Sequence, residues 1–287
     1  MPDITLISPE QFKGNGEIGA FPIADFELCF LAQGDSWFSI GSIPPWLTSN
    51  LFDKMDLNKP ALAVNCASPG AELALMTNTT RSRVFLNLLS GNVAPRWTAL
   101  LLSGLGNDAI SAAQSGPKNP PDKRLLAKKS EWGAGNSPSR YLSDAGWMTF
   151  SSHARAVFQT LLDERDRKAV NRGLPIVLHT YDLTTPRNAG AGLGFGPWLF
   201  KAMNAFEIPQ EDWVAVSTAL LQRVRALILN LAAPHSEVHV VDTQGILTAA
   251  ATKDTGPTPH WQNEIHPTRT GYRLLGDVWE RTLNALF

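Results

Sequence analysis

The stretch Glu-Leu-Cys-Phe-Leu-Ala-Gln-Gly-Asp-Ser-Trp, residues 27–37, decides how the chain is read. Residues 27–33 form a short apolar run that ends at Gly34. A run of this length, closed by a turn residue, reads as a strand buried on both faces. Asp35, Ser36 and Trp37 then fall on a loop at the carboxyl end of that strand. In open α/β sheets ligands bind at this edge.

Four more runs repeat the pattern, at residues 61–66, 98–102, 174–179 and 237–242. Helical spacing lies between them. Residues 45–55 open with Pro45 and carry Trp46, Leu47, Leu51 and Phe52. Residues 71–90 hold one or two helices, and 146–171, 209–232 and 268–286 each show an apolar face. Alternating strands and helices predict a parallel sheet covered on both sides. Two segments break the rhythm, 111–145 and 185–198, both rich in Gly and Pro. Long stretches without a regular pattern are typically functional loops or insertions. Both are expected at the carboxyl edge, forming the rim of a pocket, within a single domain over residues 1–287.

Composition narrows the function. The 287 residues are 44% hydrophobic and 18% charged, which excludes a wholly disordered chain. A net charge of −1 provides no basic field for nucleic acid. No apolar run approaches the roughly 18 residues that span a bilayer. The start of the sequence has no secretory pattern, so the cytoplasm is the default expectation, with signal-independent export left open. Cys29 and Cys66 are too few for a disulfide framework and read as free thiols. The pair His235 and His239 would sit four residues apart along a strand, about 13 Å, too far for a shared metal. Neither metal nor cofactor is expected, and oligomeric state is left open.

Chemistry-bearing residues fall where runs meet loops: Ser36 after the first, Gly70 after the second, Asn107 and Asp108 after the third, and His266 before the last helix. Singly, each reads as a turn, a cap or a surface residue. In this order they resemble the SGNH (GDSL-type) serine hydrolases. Gly34-Asp35-Ser36, Gly70, Gly106-Asn107-Asp108, and Ile265-His266-Pro267 followed by Gly271-Tyr272 match that family's blocks, over residues 27–280. The resemblance implies a flavodoxin-like three-layer α/β/α sandwich with a parallel five-stranded sheet. It implies Ser36 as nucleophile and His266 as general base. It also implies an oxyanion hole of the Ser36 and Gly70 backbone N–H groups and the Asn107 amide.

Two departures stand out. The family's aspartate, three residues before the histidine, is here Asn263. An amide cannot stabilise an imidazolium as a carboxylate does. Either Ser36 and His266 act as a dyad, with a backbone carbonyl orienting the ring, or Glu264 or Asp242 supplies the acid. Leu105 stands where the asparagine block often has glycine. Trp37, His179 and Trp198 are candidate substrate contacts. Together with Trp132, Trp147 and Trp261, the loop tryptophans suggest an apolar acyl pocket or an interfacial rim. The expected activity is an esterase or lipase acting on a small-molecule or lipid-like acyl ester. The alternatives are a carbohydrate or cell-wall O-acetyl esterase, an acyltransferase, or an inactive binding module.

Overall fold

The computed structural model describes residues 4–13, 23–39 and 49–287. Six parallel strands form one sheet: β1 (Thr5–Ile7), β2 (Leu28–Gly34), β3 (Ala61–Asn65), β4 (Ala99–Ser103), β5 (Ile176–His179) and β6 (Val238–Val241). Their order is β1-β3-β2-β4-β5-β6, with every neighbouring pair parallel. The five expected strands are present. The sixth, β1, is a three-residue edge strand, too short to register as an apolar run. From β2 the chain steps outward to β3, then returns to place β4 on the other side. That reversal makes β2 the switch point, where the strand ends leave a crevice.

Eight helices are described: α1 (Pro9–Lys13), α2 (Leu73–Met76), α3 (Arg83–Ser90), α4 (Gly106–Gln114), α5 (Asp144–Asp166), α6 (Leu199–Ala205), α7 (Trp213–Ala232) and α8 (Arg269–Leu286). The expected helix at 45–55 falls partly outside the described residues, and Phe52–Lys54 form a single 3₁₀ turn. The segment expected as a loop from 111 begins inside α4. Its remainder is three 3₁₀ turns, folded over the buried Arg124. That guanidinium donates to the Asn119 and Leu126 carbonyls and to Glu131. By length and composition α7 is apolar enough to cross a membrane. Here its Val216, Leu220, Val224, Leu227 and Ile228 are buried in the core.

The central seam admits no side chain at its end. A Cβ on Gly34 would lie 2.6 Å from Ser103 Cβ and 2.9 Å from the Ser103 carbonyl oxygen. The glycine therefore lets β2 and β4 close directly below the Ser36 turn. Gly106 does the same against the Tyr181 ring, 2.5 Å from a would-be Cβ. Gly34→Ala should force these strands apart, lowering stability by about 1–3 kcal/mol, the usual cost of overpacking. Chemical denaturation measures this, and an unchanged midpoint would contradict the tight seam.

Candidate active site

Ser36 rides on a turn that Asp35 closes. The Trp37 N–H donates to Asp35 Oδ1 at 2.9 Å, and the Phe38 N–H to the Asp35 carbonyl at 3.2 Å. Ser36 and His266 come together from opposite ends of the sequence. Ser36 Oγ lies 2.7 Å from His266 Nε2, and both residues are buried.

The other ring nitrogen resolves the missing aspartate. His266 Nδ1 lies 2.9 Å from Asn263 Oδ1. The same oxygen accepts the backbone N–H groups of Ile265 at 3.1 Å and of His266 at 2.9 Å. Two backbone N–H donors converge on that atom, so it is the amide oxygen and not the nitrogen. An oxygen there requires the hydrogen of a neutral imidazole to sit on Nδ1. Nε2 is then left bare toward the Ser36 hydroxyl, the tautomer a general base needs.

Neither carboxylate weighed for this role touches the ring. Asp242 is paired with Arg225 and accepts from Thr180 Oγ1 at 2.9 Å. Glu264 turns away and caps α6. It accepts the N–H groups of Trp198, of Leu199 at 3.0 Å, of Phe200 at 2.6 Å and of Arg187 at 3.1 Å. Burial pushes its carboxyl up to about 7, while these four N–H groups pull the other way. Nor does a backbone carbonyl orient the ring, since the Asn263 side chain has taken that place.

Sequence reasoning missed the support of this loop. Arg187 is fully buried, and its guanidinium donates to the carbonyls of Asp254 at 3.2 Å, Gly256 at 2.5 Å, Trp261 at 3.4 Å and Asn263 at 2.6 Å. Its position inside a Gly-rich segment was the available signal, since a lone arginine there has no surface partner. The 185–198 segment thus lies alongside the histidine loop, and Trp198 stands edge-on to His266 with centroids 5.4 Å apart.

The remaining site residues divide. Asn107 lines the same small pocket as Ser36, and its amide donates to the Ala71 carbonyl at 3.2 Å. Gly70 has φ +75° with open space where a Cβ would be, so backbone conformation is what calls for glycine there. Asp108 receives the Leu73 N–H at 3.1 Å and so ties the Gly70 loop to α4. Leu105 takes φ 78° without being glycine, and its side chain is buried. Trp37 lines the pocket from within the core. His179 is 1% exposed beneath it, stacked at 5.4 Å on Trp37, and offers no surface to substrate. Trp261 is likewise buried, whereas Trp132 and Trp147, packed on Tyr141 and Phe150, and Trp198, beside His266, are half-buried. The pocket is bounded further by Ile110, Thr184, Leu221 and Ile265. Among the described residues no cluster of His, Cys, Asp or Glu is suited to a metal ion.

No protein-family model matches the chain, and no curated protein matches it. It is similar to solved SGNH-type hydrolase structures. One is described as a GDSL-like lipase from Parabacteroides merdae, 14% identical, covering 91% of this chain and 96% of that one, with a TM-score of 0.49. A phospholipase A1 from Streptomyces albidoflavus is 14% identical, covering 90% and 99%, with a TM-score of 0.48. An acetyl-xylooligosaccharide esterase from Geobacillus is 12% identical, covering 89% and 93%, with a TM-score of 0.45.

Burial holds the His266 pKa down to about 3. Among the described residues no carboxylate is hydrogen-bonded to the ring to raise it. The base form should therefore persist well below the usual histidine range, and kcat/KM should stay flat from neutral pH down to about pH 5. Asn263→Asp places a negative charge at Nδ1, which favours the imidazolium. It should move the acid limb of that profile to higher pH. An acid limb already near the ordinary histidine value in the natural protein, unmoved in Asn263→Asp, would contradict this account.

Proposed function

We propose that this chain is a serine ester hydrolase. The observation that carries the reading is the Ser36–His266–Asn263 line, with both ring nitrogens engaged in the directions that general-base catalysis requires. In this reading Ser36 Oγ attacks an ester carbonyl while His266 Nε2 takes its proton. The imidazolium then returns the proton to the departing alcohol. Water attacks the acyl-enzyme by the same route and releases the acid. The backbone N–H groups of Ser36 and Gly70 and the Asn107 amide are the proposed oxyanion donors, set where charge develops.

The acyl group is short in this proposal. The pocket beside Ser36 and Asn107 has a volume of only about 30 Å³, room for a small group. Its walls are mainly apolar. Thr184 also lines it, 8% exposed, and its hydroxyl has no partner. A methyl-sized acyl tail suits that space better than a fatty chain.

A second reading, an O-acetyl esterase acting on a sugar, has its own support. Gly70 also borders a larger pocket of about 630 Å³. Its lining mixes polar side chains, among them Gln33, Asn65, Ser68 and Arg81, with apolar ones such as Leu75 and Phe85, and such a mixed surface suits a sugar's hydroxyls and its apolar ring face.

Four measurements test the proposal. A fluorophosphonate probe should label Ser36 and leave Ser36→Ala unlabelled. Ser36→Ala and His266→Ala should each lose several orders of magnitude in kcat, with the double variant little worse than either, because the two groups act as a unit. Folded Ser36→Ala protein with full turnover would end the assignment. Asn107→Ala should lower kcat by about a hundredfold with KM little changed, as for one oxyanion donor. Across aryl esters, kcat/KM should drop by about tenfold or more between acetate and octanoate, since added methylenes must fit or be excluded. A preference for the longer chain would refute the short-acyl assignment alone.

A further inference from the structure

Four polar side chains meet in the core under the Ser36 turn: Asp35, Ser103, Tyr181 and His179, all buried. Ser103 Oγ lies 2.7 Å from Asp35 Oδ1 and 3.0 Å from His179 Nε2. The Tyr181 hydroxyl lies 2.5 Å from Asp35 Oδ2 and 3.2 Å from Ser103 Oγ. His179 Nδ1 lies 2.8 Å from the Thr180 carbonyl oxygen. A carbonyl only accepts, so Nδ1 carries a hydrogen.

Hydrogens can now be counted for an ionised Asp35 and a neutral His179. The tyrosine hydrogen serves Oδ2. Ser103 has a single hydrogen for two close neighbours. If it points to Asp35, Oγ and Nε2 meet lone pair to lone pair at 3.0 Å. If it points to His179, Oγ and Oδ1 meet in the same way at 2.7 Å. Either arrangement leaves one buried contact with no hydrogen in it, which is costly in a dry site.

One added proton fills that contact. With the proton on Asp35, Oδ1–H donates to Ser103 Oγ and the Ser103 hydroxyl donates to Nε2. With it on His179, Nε2–H donates to Oγ and the Ser103 hydroxyl donates to Oδ1. The two forms interconvert by moving two hydrogens along the line from oxygen through oxygen to nitrogen, and the total is conserved.

We propose that Asp35, Ser103 and His179 share one such proton, so that the carboxyl and imidazole beneath the nucleophile together carry no net charge. Burial works in the same direction, raising the Asp35 carboxyl and lowering His179 to about 4, which disfavours a lone charge at either end. The other ionisable groups facing Asp35 are Tyr181, Asp108 on α4 and Tyr272 on α8, and none of them can supply a positive charge. His179 is otherwise ringed by Trp37, Phe38 and Trp279. Asp35 is thereby a positioning residue for Ser36. The neutrality of the pair keeps an uncompensated negative charge from building up beneath the Ser36 N–H, where the oxyanion would form. This last use rests on the ester-hydrolase reading, whereas the proton count does not.

The count is measurable on the full chain, labelled with ¹⁵N-histidine and ¹³C-carboxyl aspartate and assigned by NMR. Between about pH 5 and 8, the span in which a free histidine titrates, the protons on the Asp35 carboxyl and on His179 Nε2 should sum to one. An ionised carboxylate beside a neutral imidazole overturns the proposal, as does a protonated acid beside an imidazolium. Ser103→Ala cuts the line while leaving both ends in place. The two groups should then titrate separately, and the pH profile of kcat/KM should shift, which a merely structural serine would not cause. A folded Ser103→Ala protein with an unaltered profile removes the positioning role. Should that variant fail to fold, the count in the natural protein decides alone.

Discussion

The amide oxygen of Asn263 is the atom on which the candidate site depends. It accepts two backbone N–H groups and the His266 ring together. The backbone donors fix which way the amide faces, and the amide then fixes the tautomer of the ring. A carboxylate has two equivalent oxygens and needs no such help. An amide in this place works only because the tight turn from Asn263 to His266 turns its own N–H groups inward. What the amide withholds is charge. The imidazolium formed during the reaction gains orientation from Asn263 but little electrostatic stabilisation. Buried as it is, the ring is a weak base that stays unprotonated in acid.

Around this atom the fold supplies constraint from two directions. From below, the close approach of β2 and β4 at Gly34 and Ser103 sets the height of the Ser36 turn. From the side, Arg187 and Glu264 brace the histidine loop against the 185–198 segment. These supports meet at the Ser36–His266 contact and at the Trp37 Nε1–H bond to the Ile265 carbonyl, so an error in either is felt there as a change of distance. Leu105 illustrates how far the local backbone is determined by its surroundings. It holds a left-handed conformation that a leucine alone would avoid, and its buried side chain offsets that strain.

Much of this was legible in the sequence. Strands buried on both faces announce themselves as unbroken apolar runs, and so β2 to β6 were readable while the three-residue β1 was not. Short helices hidden in Gly-rich or turn-rich segments, α4 and α6, lack enough periodicity to be seen. The order Ser36, Gly70, Asn107, His266 located the site because each residue falls at a strand end or a helix start. The support for His266 was not readable, for a physical reason. Which of Asn263, Glu264 and Asp242 faces the ring depends on turn geometry over a few residues, and neighbouring side chains point opposite ways. Trp261 misled for a related reason. A large ring in a loop reads as exposed unless the packing that buries it is known.

Residues 242–268 form neither helix nor strand, apart from one isolated bridge at Trp261, yet Trp261, Asn263, Glu264 and His266 among them are buried. Arg187 and Glu264 account for this. The guanidinium is surrounded by main-chain carbonyls and the carboxylate by main-chain N–H groups. Four carbonyls of this segment, at Asp254, Gly256, Trp261 and Asn263, are satisfied by the guanidinium in place of a ladder. The backbone acts as the solvent for both ions, in place of water, and needs no regular structure to do so. Counter-ions cannot reach charges dissolved in this way, so salt that weakens the surface ion pairs should leave this loop unaffected.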